Sequence, residues 1–405
     1  MNSHGGSRRA QSFTERGDRL IKELNPYTPG MSRAEAAAKL NVEPSTIGKM
    51  SSNENPIGPP PLAVAAVKEL TDYFHEYPSP SGLELRQAIG SYLNVEPDQV
   101  VLGAGASALF HSLMVAFTEP DDEVISLRPS FPLYAETARI HECVPVHVDL
   151  VEPDFSFDLL AMREAINSRT RLIFLTRPNN PTANLVSIPE VVSVAEAAKA
   201  VGALVVVDEA YFEYVVNYQE ETAAQLIRKD VCCKNVLITR TFGKAFGLGN
   251  LRIGYAVANA LTAAQLRAAN DKWSTGDANR AAALAALRDS EHLKRTRQVA
   301  KSGREMLTKE LSALGFYVVP NSQSINVMVD VSRVRRAGAS TQNAGWSAKE
   351  FADEVFRRGH IMIRGDFSTT HVRISVAQKE INERLIQTVR SMVEEQIPAN
   401  PIAFF

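Results

Sequence analysis

At 405 residues, 45 % hydrophobic and 22 % charged, the chain has ordinary globular composition but exceeds one typical core, so two domains are expected. A formal net charge of -2 argues against a nucleic-acid or membrane-surface partner, and no apolar run approaches a bilayer span or a signal-peptide core. Cys143 and the adjacent Cys232 and Cys233 make neither a disulfide framework nor a metal-ligand spacing, so no metal and a reducing, cytoplasmic setting are expected.

Residues 1–15 are polar and rich in Gly, Ser and Arg, the composition of a disordered tail. Residues 16–75 are expected to form an N-terminal arm and part of a small domain. Within them Ser32, with Glu35 three places on, predicts a capped helix over 32–41. Ser52 to Pro60 (SNENPIGPP) is too rich in Pro, Gly and Asn for regular structure. It is expected to be too polar to pack in its own core and to cross to a second copy of the chain, which predicts a homodimer. A helix is expected over 61–74, then a loop at Tyr77–Gly82.

Residues 76–294 alternate strands with helices, which predicts a mainly parallel, seven-stranded sheet with helices on its faces. The expected strands are 99–103, 123–127, 144–148, 171–176, 203–208, 235–239 and 252–257, with a helix over 188–202 between two of them. From 295 to 405 the rhythm changes to a long charged helix, a strand at 325–331, a loop-rich segment at 331–347, a helix, and short strands at 360–364 and 371–376. The fold class is therefore α/β: a large domain on that sheet plus a smaller α+β domain.

In an open parallel sheet, ligands bind beyond the carboxyl ends of the strands. Four such ends carry chemistry. The first, Gly103-Ala104-Gly105-Ala106-Ser107, opens an apolar helix and would offer free N–H groups to an anion. It also matches a dinucleotide fingerprint, but the acids at 121–123 precede the next strand instead of ending it, so a phosphate site is the better reading. The second, Arg177-Pro178-Asn179-Asn180-Pro181-Thr182, presents an Asn amide on a proline-stiffened loop. The third, Asp208-Glu209-Ala210-Tyr211, places an acid where it needs a cationic or hydrogen-bonding partner. The fourth presents Lys244 after Gly243, with Ala245 and Phe246 excluding water and Arg252 eight residues on. Pyridoxal 5′-phosphate needs such a set: an amine, an anion for its ring nitrogen, donors to its phenolate oxygen, a stacking ring and a phosphate cradle.

The stretches SSNENPIGPPP, YPSPSG, GAGAS, PNNPT, DEAYFEY, RTFGKAFGLGNLRIGY and VRISV, in this order, resemble the fold-type I, pyridoxal-phosphate-dependent aminotransferases, and among them the histidinol-phosphate aminotransferase branch. The resemblance covers residues 20–395 or so. It implies that Lys244 carries the cofactor as a Schiff base and moves the substrate Cα proton. Asp208 would pair with the ring nitrogen, Asn180 and Tyr211 would bind the phenolate oxygen, and Phe131 would stack on the ring. Ala106 and Ser107, with Thr241 and Arg252, would hold the phosphate. Arg373 would take the substrate carboxylate, Arg364 a substrate phosphate, and Asn55 and Ile57 would lie on the substrate side. The implied partners are an amino donor and a 2-oxo acid acceptor.

The chain departs from the family pattern at four places. Ile57 stands where many members place a tyrosine reaching the neighbouring subunit, Ala183 replaces a glycine, and Gly243 replaces a serine. Trp273-Ser274-Thr275-Gly276 stands where the family supplies an asparagine near the substrate, which leaves the substrate side chain open and allows a specialised biosynthetic pathway. Two other functions share these residues. A decarboxylase of the threonine-phosphate type would use the same lysine, aspartate and phosphate site, and a non-catalytic cofactor-binding protein would need only the binding half.

Overall fold

In the computed structural model, Gly17 and residues 30–228, 234–334 and 345–394 are described. The expected tail at 1–15, Cys232, Cys233 and residues 335–344 of the loop-rich segment lie outside them. The strands are β1 (Gly48–Lys49), β2 (Val100–Gly103), β3 (Glu123–Arg128), β4 (Val144–Asp149), β5 (Thr170–Thr176), β6 (Leu204–Asp208), β7 (Val236–Thr241), β8 (Gly254–Val257), β9 (Tyr317–Val318), β10 (Asn326–Asp330), β11 (Ile361–Met362) and β12 (His371–Ser375).

Seven of these form one sheet in the order β2-β8-β7-β6-β5-β3-β4. Pairing is parallel from β4 through β7, and β8 runs antiparallel to both β7 and β2. Along β5, Ile173 and Leu175 join one apolar cluster while Leu172 and Phe174 join another, and β6 repeats this with Val205 and Val207 against Leu204 and Val206. Both faces are covered, which is why these strands read as unbroken apolar runs. The parallel strands all end at one edge, and β8 begins there.

The strand expected at 252–257 starts two residues later. Arg252 sits in the left-handed region at φ 48°, closing a short turn at Gly249–Leu251. Gly254 then opens β8 because a Cβ there would come within 2.5 Å of the Ala106 backbone nitrogen. The helix expected over 61–74 ends at Glu69 and resumes as a single turn at Thr71–Tyr73. The Thr71 hydroxyl donates back to the Lys68 carbonyl at 3.0 Å, a local bond that competes with helix continuation. The helix at Arg33–Leu40 forms as its capping box predicts, with Ser32 and Glu35 bonded reciprocally.

Beyond the large sheet, a 24-residue helix (Ser290–Ala313) packs on β9 and β10 and on the helix Lys379–Glu394. Strands β9, β10 and β12 make an antiparallel sheet in the order β12-β10-β9, and β1 pairs with β11 in parallel.

The segment from Ser52 to Pro60 corrects one premise of the sequence reading, that it is too polar to pack in its own core. Asn53 is fully buried in its own chain. It donates to Asn326 Oδ1 at 3.0 Å, its backbone N–H donates to Ser375 Oγ at 3.0 Å, and its Oδ1 accepts from Ser375. Buried asparagine is stable here because its polar atoms are paired.

Candidate active site

The ends of β2, β5, β6 and β7 converge on a cavity of ≈ 260 Å³. Each strand contributes through the residues immediately after its last apolar position. After β2, Gly105 takes φ 78° and caps the helix Ala106–Phe117, so the N–H groups of Ala106 and Ser107 face the cavity mouth unpaired within the helix. Arg252 reaches this turn from the start of β8 and donates to Ser107 Oγ at 3.2 Å. A Cβ on Gly105 would lie 2.5 Å from the Arg252 guanidinium, so only glycine lets the two approach. Thr241, at the end of β7, lines the same corner.

After β5, the loop of Arg177 to Thr182 holds Asn179 by bonds to the Pro129 carbonyl and Thr182 Oγ1, both at 2.9 Å. That anchors Asn180, whose Oδ1 accepts from Arg373 Nη1 at 2.6 Å. Arg373 stands in the middle of β12 and also donates to the Ser51 carbonyl. Ala183 sits at φ 64° and is wholly buried, in the conformation that explains the glycine at this place in the resembled pattern.

Asp208 ends β6 and is 3 % exposed. Burial pushes its carboxyl up to about 6, opposed by a bond from the Tyr134 phenol at 2.6 Å, by the Thr239 hydroxyl, and by the Ala210 N–H at 3.1 Å. A buried carboxylate held this high is stabilised by any cation brought to its free face. Tyr211 and Lys244 close the cavity: the ammonium donates to the Ser52 carbonyl at 3.1 Å and lies 5.2 Å from the centre of the Tyr211 ring. Phe131 supplies an aromatic wall.

Ala106, Ser107, Phe131, Asn180, Asp208, Tyr211, Thr241, Lys244, Arg252 and Arg373, all singled out in the sequence, line this one cavity. Asn55, Ile57 and Arg364 do not. Asn55 donates to the Ala245 carbonyl at 2.9 Å and Thr296 Oγ1 at 3.1 Å, which ties the extended segment to the lysine loop. Ile57 lines a separate groove against the helix Ser290–Ala313. Arg364 forms a backbone bridge with Arg373, and its guanidinium pairs with Asp366 at 2.7 Å. Trp273 is 56 % exposed and packs on Tyr77 with ring centres 6.1 Å apart.

The sequence reading passed over Ser52, Tyr134 and Thr176, which also line the cavity. Four charges, two of them within the strand-end stretches named above, are buried directly behind the strand ends, and the sequence does not show that they pair. Arg177 follows β5, Glu209 follows β6, Arg240 precedes Thr241 in β7, and Glu213 lies one turn on; each is 0–1 % exposed. Arg240 donates to Glu209 at 2.7 Å and to Glu213 at 3.0 Å, while Arg177 reaches Glu209 at 3.4 Å. Burial alone would depress the Arg240 guanidinium, but the two carboxylates outweigh it and hold it firmly protonated. Phe212 lies between the two arginines, 4.8 and 5.2 Å from them.

The donor set fits pyridoxal 5′-phosphate: a lysine amine, a buried acid wanting a cation, amide and phenol groups, an aromatic wall, and a helix start with an arginine for the phosphate. Comparison with known proteins agrees. A model of the family "Aminotransferase class I and II" matches residues 45–389. A histidinol-phosphate aminotransferase of Nitrosococcus oceani is 33 % identical over 381 residues, 93 % of this chain and 96 % of that protein. That of Methanocella arvoryzae is 32 % identical over 91 % of this chain and 96 % of its own. In fold, the chain is similar to the histidinol-phosphate aminotransferase of Sinorhizobium meliloti, solved with pyridoxal-5′-phosphate (TM-score 0.80, 23 % identity, 93 % of this chain and 97 % of that one). It is also similar to the aspartate aminotransferase of Thermus thermophilus (TM-score 0.77, 23 % identity, 92 % and 98 %). The chain belongs to the class I and II aminotransferases, enzymes that work with pyridoxal phosphate.

Proposed function

We propose that this chain transfers an amino group from an amino acid or amino phosphate to a 2-oxo acid, with histidinol phosphate the leading donor and Lys244 the catalytic base. The observation that carries this reading is the convergence of Lys244, Asp208, Asn180, Tyr211 and the Gly105 helix start on one cavity. When bound there, pyridoxal phosphate supplies a carbonyl for the donor's amine and a ring that accepts the electron pair left by the departing Cα proton. The protein does the rest. Lys244 holds the cofactor and carries the proton, Asp208 keeps a proton on the ring nitrogen, and Asn180 and Tyr211 bind the phenolate oxygen. Phe131 stacks on the ring. The Ala106 and Ser107 N–H groups, Thr241 and Arg252 take the phosphate. Arg373 takes the carboxylate of an α-amino acid donor or of the 2-oxo acid acceptor as a planar fork. A panel of amino donors mixed with the cofactor-loaded protein should bleach the cofactor's visible band with histidinol phosphate and leave it unchanged with donors that do not fit.

Arg364 is proposed to bind an anionic group of the donor other than an α-carboxylate, such as the phosphate of histidinol phosphate. Its side chain is 12 % exposed and its backbone is bridged to Arg373, which supports a place beside the carboxylate site. Removing one charge-assisted contact costs about 1.5–3 kcal/mol, or roughly 10- to 150-fold in kcat/KM. Arg364→Ala should therefore lower kcat/KM by about that factor for phosphorylated donors only, whereas Arg373→Ala should lower it for every amino acid. Equal losses with phosphorylated and neutral donors in Arg364→Ala would remove the phosphate-bearing class.

The protein is further proposed to be a cytoplasmic homodimer. A homodimer is supported by the large apolar side chains Leu62, Tyr73, Phe74, Tyr77 and Trp273, each 52–88 % exposed, with Tyr77 packed on Trp273. In that arrangement Ile57 would face the partner's cofactor site. Light scattering should give twice the 44.4 kDa chain mass, and Tyr77→Asp with Trp273→Asp should lower it towards one chain. A fully active monomer would contradict the dimer. The free, buried thiol of Cys143 supports a reducing compartment, and no helix among the described residues is long and apolar enough to cross a membrane.

A further inference from the structure

Behind Asp208 runs a row of hydroxyls that the chemistry above does not use. Tyr134, fully buried, stacks on Phe174 with ring centres 4.5 Å apart and meets Phe110 edge-on at 5.1 Å. Its phenol donates to Asp208 Oδ2 at 2.6 Å, within the range of a charge-assisted O–H···O⁻ bond. Thr176 Oγ1 lies 2.9 Å behind the phenol oxygen, Ser130 Oγ lies 3.1 Å from Thr176, and Asn179 Oδ1 lies 2.7 Å from Ser130.

The proton count in this row restricts its direction. Each hydroxyl has one proton to give. Both amide protons of Asn179 go to the Pro129 carbonyl and Thr182 Oγ1, and its Oδ1 can only accept. An ionised Asp208 can also only accept. Three hydroxyl protons therefore serve four gaps between two acceptors. When Tyr134 spends its proton on Asp208, its oxygen is free to accept from Thr176; Ser130 donates to Asn179 Oδ1, and the 3.1 Å gap between Ser130 and Thr176 is the one without a proton. When Asp208 is itself protonated on Oδ2, the order reverses: Asp208 donates to Tyr134, Tyr134 to Thr176, Thr176 to Ser130, and Ser130 to Asn179. The Tyr134 and Thr176 protons thus have two orders, one favoured by each charge state of Asp208, while Ser130 donates to Asn179 in both.

We propose that Tyr134 is a positioning residue that holds Asp208 ionised, and that the Thr176 hydroxyl behind it fixes the phenol proton on the carboxylate. The proton shared between Asp208 and the cofactor's ring nitrogen is thereby kept on the nitrogen. This rests on the assignment of Asp208 to that nitrogen. Other charges reach Asp208 as well. Glu209 beside it opposes ionisation but is itself balanced by Arg177 and Arg240, while Lys244, Arg252 and Arg373 face the same cavity as cations. Two hydroxyls reach Asp208 itself, those of Tyr134 and of Thr239 in the adjacent strand; Tyr134 is the one that backs onto a further hydroxyl.

The test uses the full chain loaded with pyridoxal phosphate isotopically labelled at the ring nitrogen, whose magnetic resonance position reports whether that nitrogen is protonated. The native protein should show the protonated position. Asp208→Asn should move it furthest towards the neutral position, Tyr134→Phe a large part of the way, and Thr176→Val a smaller part. Thr176→Ser, which restores the hydroxyl, should return it to the native position. If Asp208→Asn leaves the resonance in place, the pairing of Asp208 with the ring nitrogen is wrong. If Asp208→Asn moves it but Tyr134→Phe and Thr176→Val do not, the hydroxyl row has no role and this inference falls alone. Should Tyr134→Phe fail to load, the Thr176→Val and Thr176→Ser pair decides, and identical resonances in the two overturn the inference.

Discussion

Replacing Lys244 by alanine is expected to leave a folded protein that takes up no cofactor covalently and transfers no amino groups. The side chain is half-buried and makes a single hydrogen bond, to the Ser52 carbonyl at 3.1 Å, so its loss opens no gap in the core. Losing a positioned general base alone costs about 10²- to 10⁴-fold in rate, and the covalent tether is lost with it. Reduction with borohydride followed by mass measurement separates the two forms. The native chain should gain one reduced cofactor and Lys244→Ala none. An adduct of equal yield in the variant would show that another amine holds the cofactor.

Arg240→Met should produce the largest loss of stability of any single substitution near the site. The change removes the cation that Glu209 and Glu213 share, 2.7 and 3.0 Å away, at a place where all three side chains are 0–1 % exposed. Breaking such a pair from one side costs about 3–5 kcal/mol, because the stranded carboxylates must stay buried unpaired or take up protons. Against a typical total of about 5–15 kcal/mol, that lowers the denaturant midpoint markedly. Burial already raises the Glu213 carboxyl despite Arg240, so without the arginine the variant should recover part of its loss as pH falls and the acids are neutralised. Lys349→Ala breaks an ion pair on an exposed helix face and should leave the midpoint unchanged. A midpoint for Arg240→Met within error of the native one would mean that the buried charges are not what locks the three strand ends together.

The large sheet was legible because its strands are buried on both faces, so Leu172–Leu175 and Leu204–Val207 announce themselves as apolar runs. The site was legible for a related reason: a polar residue directly after such a run has one place to go, the sheet edge where ligands bind. Local signals end there. Tyr134 is 74 residues from Asp208, and its position three places after Phe131 carries no mark beyond the general need of a buried phenol for a partner. The buried charges come from β5, β6 and β7 and meet only once the sheet is assembled. Asn53 read as solvent-loving because its partners, Asn326 and Ser375, lie more than 270 positions away. The chain returns into the antiparallel β8 through the turn at Gly249–Leu251 and a left-handed Arg252, a conformation that its residue type does not advertise.

The most direct test of transamination is a single turnover. The protein, loaded with pyridoxal phosphate and given histidinol phosphate without any 2-oxo acid, should form one equivalent of the corresponding oxo product per Lys244 and leave the cofactor in its amine form. A second addition of a 2-oxo acid should regenerate the starting spectrum. Because histidinol phosphate has no carboxylate, the same experiment is run with α-amino acids. Carbon dioxide and an amine product, with the cofactor unchanged, would contradict the account and assign the site to decarboxylation.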